Sequence, residues 1–157
     1  MSETVVELEA FATLPSEARL MGLDLGSKRI GVALSDVGRA IASPLTAIAR
    51  TKFTEDAARL IALATEHGVG GLVIGLPRNM DGSEGSAAQS ARSFARNLGR
   101  LTSLPLAFWD ERLSTAAVSR MLIEADTSRA RRGQLVDKLA ATYILQGALD
   151  RLNAGRA

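Results

Sequence analysis

The stretch Gly22-Leu-Asp-Leu-Gly-Ser-Lys-Arg-Ile-Gly-Val-Ala-Leu-Ser-Asp36 decides the fold of this chain. Two apolar runs, 20–26 and 30–35, flank the polar segment Ser27-Lys28-Arg29, and glycines stand at its shoulders. Apolar runs separated by so short a connection are typical of a β-hairpin. We therefore expect two antiparallel strands at the start of the domain.

The first of these strands is interrupted by Asp24. Aspartate has a poor strand propensity, and a carboxylate buried in a sheet needs a partner or a metal ion. An aspartate at a strand end that hydrogen-bonds a turn is the simpler alternative. Gly22, Gly26 and Gly31, however, leave space around the carboxylate for a ligand to approach. We therefore treat Asp24 as a candidate site residue.

The rest of the chain predicts an α/β protein with a mixed five-stranded sheet flanked by helices. Apolar runs and helical periodicity place further strands at 41–48, 72–76 and 106–109, and helices at 54–66, 86–101, 115–125 and 135–152. Strands with short connections should be antiparallel, and strands separated by helices should be parallel. A basic loop, Thr127–Gly133, is expected before the last helix.

Length and composition predict one domain in the cytoplasm. The 157 residues suit a single domain, which we place at 20–153, and residues 1–19 form an N-terminal extension that docks through Leu8, Phe11 and Leu14. The first ten residues carry three glutamates and no basic segment, unlike a secretory signal. No apolar run reaches the ~18 residues of a membrane span, so no membrane partner is expected. The absence of cysteine excludes disulfides and thiolate chemistry.

The distribution of charge favours a polyanionic partner. Sixteen of the nineteen basic residues are arginine, whose planar fork matches phosphate geometry. Two sets of arginines cluster along the chain: Arg92, Arg96 and Arg100, and then Arg129, Arg131 and Arg132. A solvated surface in an arginine-rich chain is the alternative explanation.

Two further acids stand out by their position. Glu111 directly follows a predicted strand, and sites in such sheets gather beyond the carboxyl ends of the parallel strands. Asp137 shares a helix face with Ala140, Ala141 and Ile144, which are small or apolar and suited to packing on a sheet. A carboxylate on that face points at the protein. A polar strand boundary and an exposed helix acid are the respective alternatives.

Three carboxylates from two strands and one helix suit a hard divalent cation. Magnesium takes oxygen ligands, often a few protein carboxylates completed by phosphate oxygens and water. A pair of such ions stabilises the attacking and leaving oxygens of a displacement at phosphorus. The sequence therefore predicts a Mg²⁺ site, with Mn²⁺ as a substitute, on Asp24, Glu111 and Asp137.

Four motifs, in order from about residue 20 to 152, resemble those of the YqgF/RuvX-type family, whose members are described as Holliday junction resolvases and as pre-16S rRNA nucleases. The first is the hairpin stretch quoted above. The others are Gly75-Leu-Pro-Arg-Asn-Met-Asp-Gly-Ser-Glu-Gly85, Asp110-Glu-Arg-Leu-Ser-Thr115, and Val136-Asp-Lys-Leu-Ala-Ala141 followed by Ile144-Leu-Gln146.

The resemblance implies a ribonuclease H-like fold with Asp24, Glu111 and Asp137 as the catalytic and metal-binding set. It implies a magnesium-dependent endonuclease, with processing of the 5′ end of pre-16S rRNA as the leading role and the pre-ribosomal small subunit as a partner. Cleavage of branched DNA, as by a Holliday junction resolvase, is the alternative. RuvC-type resolvases, which share the fold, place two acids three apart on the last helix. Here Gln134 and Ala140 occupy those positions, which favours a weaker second metal site.

Eight residues are candidates for substrate binding. Lys28 and Arg29 lie at the predicted hairpin tip, beside Asp24, where they can contact phosphates. The arginines of the basic loop precede the helix that carries Asp137, where a flexible loop can close on phosphate. The loop motif and the second acidic motif supply the rest. The full set is Lys28, Arg29, Arg78, Asn79, Arg112, Arg129, Arg131 and Arg132.

Two rival classes share parts of this pattern. The segment 24–29 also resembles the phosphate-binding hairpin of actin-like and sugar-kinase-like ATPases, but such enzymes pair two core domains and 157 residues supply one. A non-catalytic nucleic-acid or ribosome-assembly module is the second rival. A pure polyanion binder gains nothing from carboxylates that face phosphate, so the three acids argue against it.

Overall fold

The computed structural model describes residues 4–113 and 129–154, and within them the side chains of 4–112 and 137–154. The described strands and helices are β1 Arg19–Leu25, β2 Arg29–Ser35, β3 Ala42–Ala49, α1 Phe53–Glu66, β4 Val69–Leu76, α2 Ser86–Leu98, β5 Leu106–Asp110 and α3 Arg129–Ala154. Short 3-10 helices lie at Leu8–Thr13 and Glu111–Leu113. The helix predicted at 115–125 lies outside the described residues.

The predicted hairpin and mixed sheet are confirmed. The described strands form one sheet in the order β3-β2-β1-β4-β5. The pairings β1–β2 and β2–β3 are antiparallel, whereas β1–β4 and β4–β5 are parallel. Strands β1, β3, β4 and β5 therefore all run in one direction, and their carboxyl ends meet at the same edge of the sheet.

Helices cover the sheet on both faces. Side chains from α1 and α2, such as Leu60 and Phe94, pack with Leu23 on one face. Helix α3 packs on the other face with Leu20 and Val73. The small apolar side predicted for this helix is confirmed, since Ala140, Ala141, Ile144 and Ala148 are all buried.

The N-terminal segment packs against the α3 face of the sheet. Leu8 and Phe11 are buried in that core and Leu14 is partly buried, as predicted. A parallel bridge joins Val5 to Leu106 at the start of β5. The buried Arg39 fastens the end of the segment, because its guanidinium donates to the carbonyl oxygens of Pro15 and Ala18 at 2.8 and 2.7 Å.

Two predicted helix boundaries are corrected by the structure, the end of α2 and the start of α3. Helix α3 begins at Arg129, not at 135, so the basic segment predicted as a loop is helical over Arg129–Gly133. Arginine and alanine are strong helix formers, and a single interior glycine costs only about 1 kcal/mol. Helix α2 ends at Leu98 with Gly99 as its C-cap, so Arg100 lies beyond it. None of the helices in the described part of the chain could span a bilayer.

Candidate active site at the carboxyl edge of the sheet

The carboxyl edge of the sheet gathers the polar residues that follow its parallel-running strands. Asp24 is the penultimate residue of β1, and Arg50 comes directly after β3. Pro77 and Arg78 follow β4, and Glu111 follows β5. Such edges are where sites form in open α/β sheets.

Asp24 is flanked by a glycine on each neighbouring strand. Gly31 is its partner on β2. Gly75 follows Ile74, which is the β4 partner of Leu23, so it lies beside Asp24 on the other side. The Asp24 carboxylate is nearly buried, with 5% of the residue exposed. Two side-chain-free positions thus adjoin a buried acid in the middle of the sheet.

Helix α3 brings Asp137 against the first of these glycines. A Cβ atom added to Gly31 would collide with the carbonyl oxygen of Asp137, well inside 3.0 Å. The Oδ1 atom of Asp137 would lie 3.6 Å from a Cβ at Gly26, in the hairpin turn. Asp137 therefore lies over the β1–β2 hairpin, on the sheet face toward which Asp24 points, because paired residues of antiparallel strands face the same way.

Glu111 lies over the second glycine. A Cβ at Gly75 would be 3.2 Å from Cγ and 3.3 Å from Cδ of Glu111, and would clash with Ile144 of α3. Glu111 therefore lies on the β4 side of Asp24, and Asp137 lies on the β2 side. The absence of a side chain at Gly31 and Gly75 leaves room for the two acids at these positions.

Arg29 pairs with one of the three acids. Its Nε donates to Oδ2 of Asp137 at 2.9 Å, and both side chains are partly exposed. Arg29 was expected to contact phosphate, and the structure shows its guanidinium on a candidate metal ligand. Within the described side chains, 4–112 and 137–154, no three acidic or histidine residues lie close enough together to hold one metal ion.

The donor set nevertheless fits magnesium. Asp24, Glu111 and Asp137 supply only hard carboxylate oxygens, which Mg²⁺ prefers. The missing side chains at Gly31 and Gly75 let the Asp137 backbone and the Glu111 side chain come close to β2 and β4, beside Asp24. Asp137 would have to exchange Arg29 for the ion, since its Oδ2 already accepts that hydrogen bond.

We expect Arg29→Ala to tighten divalent-metal binding severalfold. The guanidinium competes with a cation for the Asp137 carboxylate, and removing it removes both the competitor and a nearby positive charge. Titration calorimetry with Mn²⁺, and the metal-induced rise in Tm, measure the effect. Arg151→Ala is the matched control, because Arg151 pairs with Glu9 near the far end of α3. Unchanged or weaker metal affinity in Arg29→Ala would contradict the competition.

The loop after β4 is held by a network of arginines and acids. Arg92 donates two hydrogen bonds to Glu84, at 2.6 and 2.7 Å, and these lower the pKa of Glu84. Arg78 lies between acids, 3.4 Å from Glu84 and 3.8 Å from Asp110. Arg112 donates to Asp110 at 2.7 Å and lowers the pKa of that carboxyl. Both acids therefore stay charged well below neutral pH.

This network changes the interpretation of three substrate-binding candidates. The charges of Arg78 and Arg112 are balanced by acids within the network. The amide of Asn79 donates to the hydroxyl of Ser83, 3.0 Å away, and shapes the same loop. Lys28, in contrast, is exposed at the hairpin tip. The side chains of Arg129, Arg131 and Arg132 lie outside the described part.

Arg50 is a basic residue that the sequence reasoning missed. It lines a cavity of about 380 Å³ together with Gly75 and Glu111. Glu111 was selected because sites gather beyond the carboxyl ends of parallel strands. The same argument applied to β3 selects Arg50. Strand β3 runs parallel to β1 through the meander, so its carboxyl end reaches the same edge.

Two solved structures share the fold. RuvC of T. thermophilus, in complex with a Holliday junction substrate, aligns with a TM-score of 0.53 at 12% identity, over 87% of this chain and 96% of that one. The yeast mitochondrial Holliday junction resolvase aligns with a TM-score of 0.50 at 13% identity, over 95% and 87%. At this identity the likeness shows the fold, which is that of the ribonuclease H-like nucleases.

Sequence relatives define the family. A family model, RuvX, described as Holliday junction resolvase, matches residues 18–151. A protein of Cereibacter sphaeroides named "Putative pre-16S rRNA nuclease" is 63% identical over 145 residues, covering 92% of this chain and 91% of its own. One of Paramagnetospirillum magneticum with the same name is 63% identical over 142 residues, covering 90% and 92%. The chain belongs to the RuvX family, and it is a nuclease, an enzyme that hydrolyses phosphodiester bonds.

Proposed function

We propose that this nuclease is a magnesium-dependent endonuclease that processes the 5′ end of pre-16S rRNA. The observation that carries the proposal is the placement of Glu111 and Asp137 over the two glycines that flank the buried Asp24. The curated relatives at 63% identity, which cover nine-tenths of the chain, bear the name of a pre-16S rRNA nuclease. Precursor rRNA, within the pre-ribosomal small subunit in the cytoplasm, is the proposed substrate.

Asp24, Glu111 and Asp137 are the proposed catalytic residues and metal ligands. A bound Mg²⁺ or Mn²⁺ supplies Lewis-acid stabilisation of the charge that develops at the phosphate. The sheet and α3 fix the carboxylates, so that little reorganisation accompanies the reaction. Lys28 holds a flanking phosphate, and Arg29 holds another once the ion has taken its place on Asp137. Residues 20–153 form the catalytic domain in this proposal, and 1–19 are an extension of it.

The basic end of α3 completes the proposed substrate surface. Arg129, Arg131 and Arg132 lie on the helix that carries Asp137, in its first turns. A phosphate chain that reaches Asp137 would pass this end, where helix N–H groups and arginines both attract anions. Arg78, Asn79 and Arg112 act mainly by shaping the neighbouring loop, since their polar groups already have partners there.

Cleavage of defined substrates tests this function. A transcript that spans the 5′ boundary of 16S rRNA and a four-way DNA junction are each incubated with Mg²⁺, Mn²⁺ or Ca²⁺. We expect the transcript to be cut with Mg²⁺ and Mn²⁺. Ca²⁺, which is larger and irregular in its coordination, should support little cleavage. Cleavage of the junction alone would favour resolution of branched DNA, and binding without cleavage would favour an assembly factor.

The hairpin tip should account for part of the salt dependence of binding. We expect the double substitution Lys28→Ala and Arg29→Ala to lower the slope of log K against log salt by up to about two, at roughly 0.7–0.9 for each phosphate that the protein no longer neutralises. The double variant Arg96→Ala and Arg100→Ala carries the same charge change. Its guanidinium groups bind only Ser93 and Asn97 among the described residues. An equal slope in both variants would remove the hairpin tip from the interface.

A further inference from the structure

A groove lies at the carboxyl edge of the sheet, next to Glu111. It lies between the hairpin turn and α2, and its volume is about 380 Å³. This volume falls within the range of roughly 300–1,000 Å³ typical of small-molecule sites. Gly75 and Glu111 belong to its lining, so the groove adjoins one of the proposed catalytic residues, Glu111.

Arg50 forms part of one wall of this groove. Its guanidinium donates to the carbonyl oxygen of Gly26 at 2.7 Å, and its Cζ lies 5.7 Å from the centre of the Phe94 ring. These contacts fix the side chain beside the hairpin turn. The guanidinium offers five N–H donors, most of which remain for a ligand.

Among the described residues, Arg50 has no acid partner within ion-pair distance, in contrast to the arginines of the loop after β4. Arg78, Arg92 and Arg112 each face a carboxylate within 4 Å. An uncompensated, pre-positioned guanidinium binds phosphate bidentately, as a charge-assisted pair. Arg50 is therefore the arginine at this edge best placed for a backbone phosphate.

The remaining walls suit a nucleoside. Leu25 and Pro77, which are both partly exposed, give an apolar surface on which a base can lie. The exposed residues Ser27 and Ser90 line the same groove, and each carries a hydroxyl group. Hydroxyl groups donate and accept hydrogen bonds, and a ribose 2′-OH is a group that RNA presents and DNA lacks.

We propose that this groove binds one unstacked ribonucleotide next to the scissile phosphate. Arg50 contacts its phosphate, and Ser27 and Ser90 contact its ribose. The inference rests on the proposed function and deepens it, because it gives the enzyme a means to prefer RNA. Contacts to the 2′-OH at a single nucleotide are the basis of that preference.

The test combines chain variants with site-specifically modified RNA. Three substrates are compared: the 5′-boundary transcript, and two versions with a single 2′-deoxynucleotide on one or the other side of the cleavage position. The proteins are wild type, Arg50→Ala, Arg50→Lys, and the double variant Ser27→Ala with Ser90→Ala. Arg151→Ala, at the far end of α3, is the control with the same loss of charge. Tm values show that each variant folds.

We expect Arg50→Ala to raise KM about tenfold, because one charge-assisted pair with a phosphate is removed, with kcat changed far less. Arg50→Lys should recover part of the affinity, and Arg151→Ala should match wild type. One 2′-deoxy substitution should slow wild type severalfold and leave the double serine variant unaffected.

The possible results distinguish an error in the proposed ribonucleotide site from an error in the proposed function. Normal cleavage of RNA by wild type, with both 2′-deoxy substrates cut at the full rate, would overturn the ribose contact. Equal KM values for Arg50→Ala and Arg151→Ala would overturn the phosphate contact. Failure of wild type to cut RNA would overturn the proposed function itself and, with it, the ribonucleotide site.

Discussion

Asp24→Asn is expected to abolish cleavage, with a loss of at least about 10³-fold in kcat. Removing one preorganised electrostatic interaction in an active site costs about 10²–10³-fold, and Asp24 is the buried carboxylate between the two glycines over which Asp137 and Glu111 lie. Asparagine keeps the volume of the buried side chain, so the free energy of unfolding should change by less than about 1.5 kcal/mol. Single-turnover cleavage of the transcript and urea denaturation give the two quantities.

Asp150→Asn is the matched control for this substitution. Asp150 is an exposed acid on the same helix as Asp137, and its carboxylate accepts a hydrogen bond from Gln146. The control should cleave at the wild-type rate. Near-normal turnover by Asp24→Asn would remove Asp24 from the mechanism, whereas a large loss of stability would show that the carboxylate holds the fold.

Gly31→Ala should destabilise the protein by about 3 kcal/mol or more, at the upper end of the range for overpacking. The added methyl group would meet the backbone of α3 at Asp137, which cannot move aside as a flexible side chain can. Helix α3 buries residues such as Ile144 and Leu145 against one face of the sheet, so it cannot lift without exposing that core. Urea denaturation measures the loss.

Gly85→Ala controls for the general effect of replacing a glycine. Gly85 is the N-cap of α2 at a φ of −91°, and an added Cβ would be in ordinary contact, 3.7 Å from Asn79. The change in stability should stay within about 1 kcal/mol. If Gly31→Ala were equally mild, the helix would have to lie farther from β2 than the structure places it. If the Gly31→Ala variant folds and still cleaves, activity does not depend on the exact position of Asp137.

The fold could be predicted from sequence because its signals are local. Two apolar runs with a three-residue connection predict the hairpin. Strands that are separated by helices are predicted to be parallel. The position of Asp137 was predictable for a similar reason, since Ala140, Ala141 and Ile144 share its helix face. Each of these predictions depends only on residues that are close together in the sequence.

The parts that escaped prediction depend on residues far apart in the chain. The contact between Arg29 and Asp137 spans 108 residues, and the placement of Arg50 depends on the register of three strands. The start of α3 was predicted as a loop because three neighbouring arginines repel one another and Gly133 adds flexibility, but the helix propensity of arginine and alanine outweighs both effects. Which arginines carry uncompensated charge could be known only when their acid partners were located.

Both outer strands of the sheet are poor templates for adding a strand from another molecule. Strand β3 contains Pro44 and a register shift opposite Val32 and Ala33, and both features interrupt regular pairing. Strand β5 has only five residues, and its first, Leu106, already pairs with Thr4 and Val6. Edge strands that are short, bulged or covered suppress strand pairing between molecules. The N-terminal segment therefore helps to keep crowded copies of the chain from aggregating through their sheets.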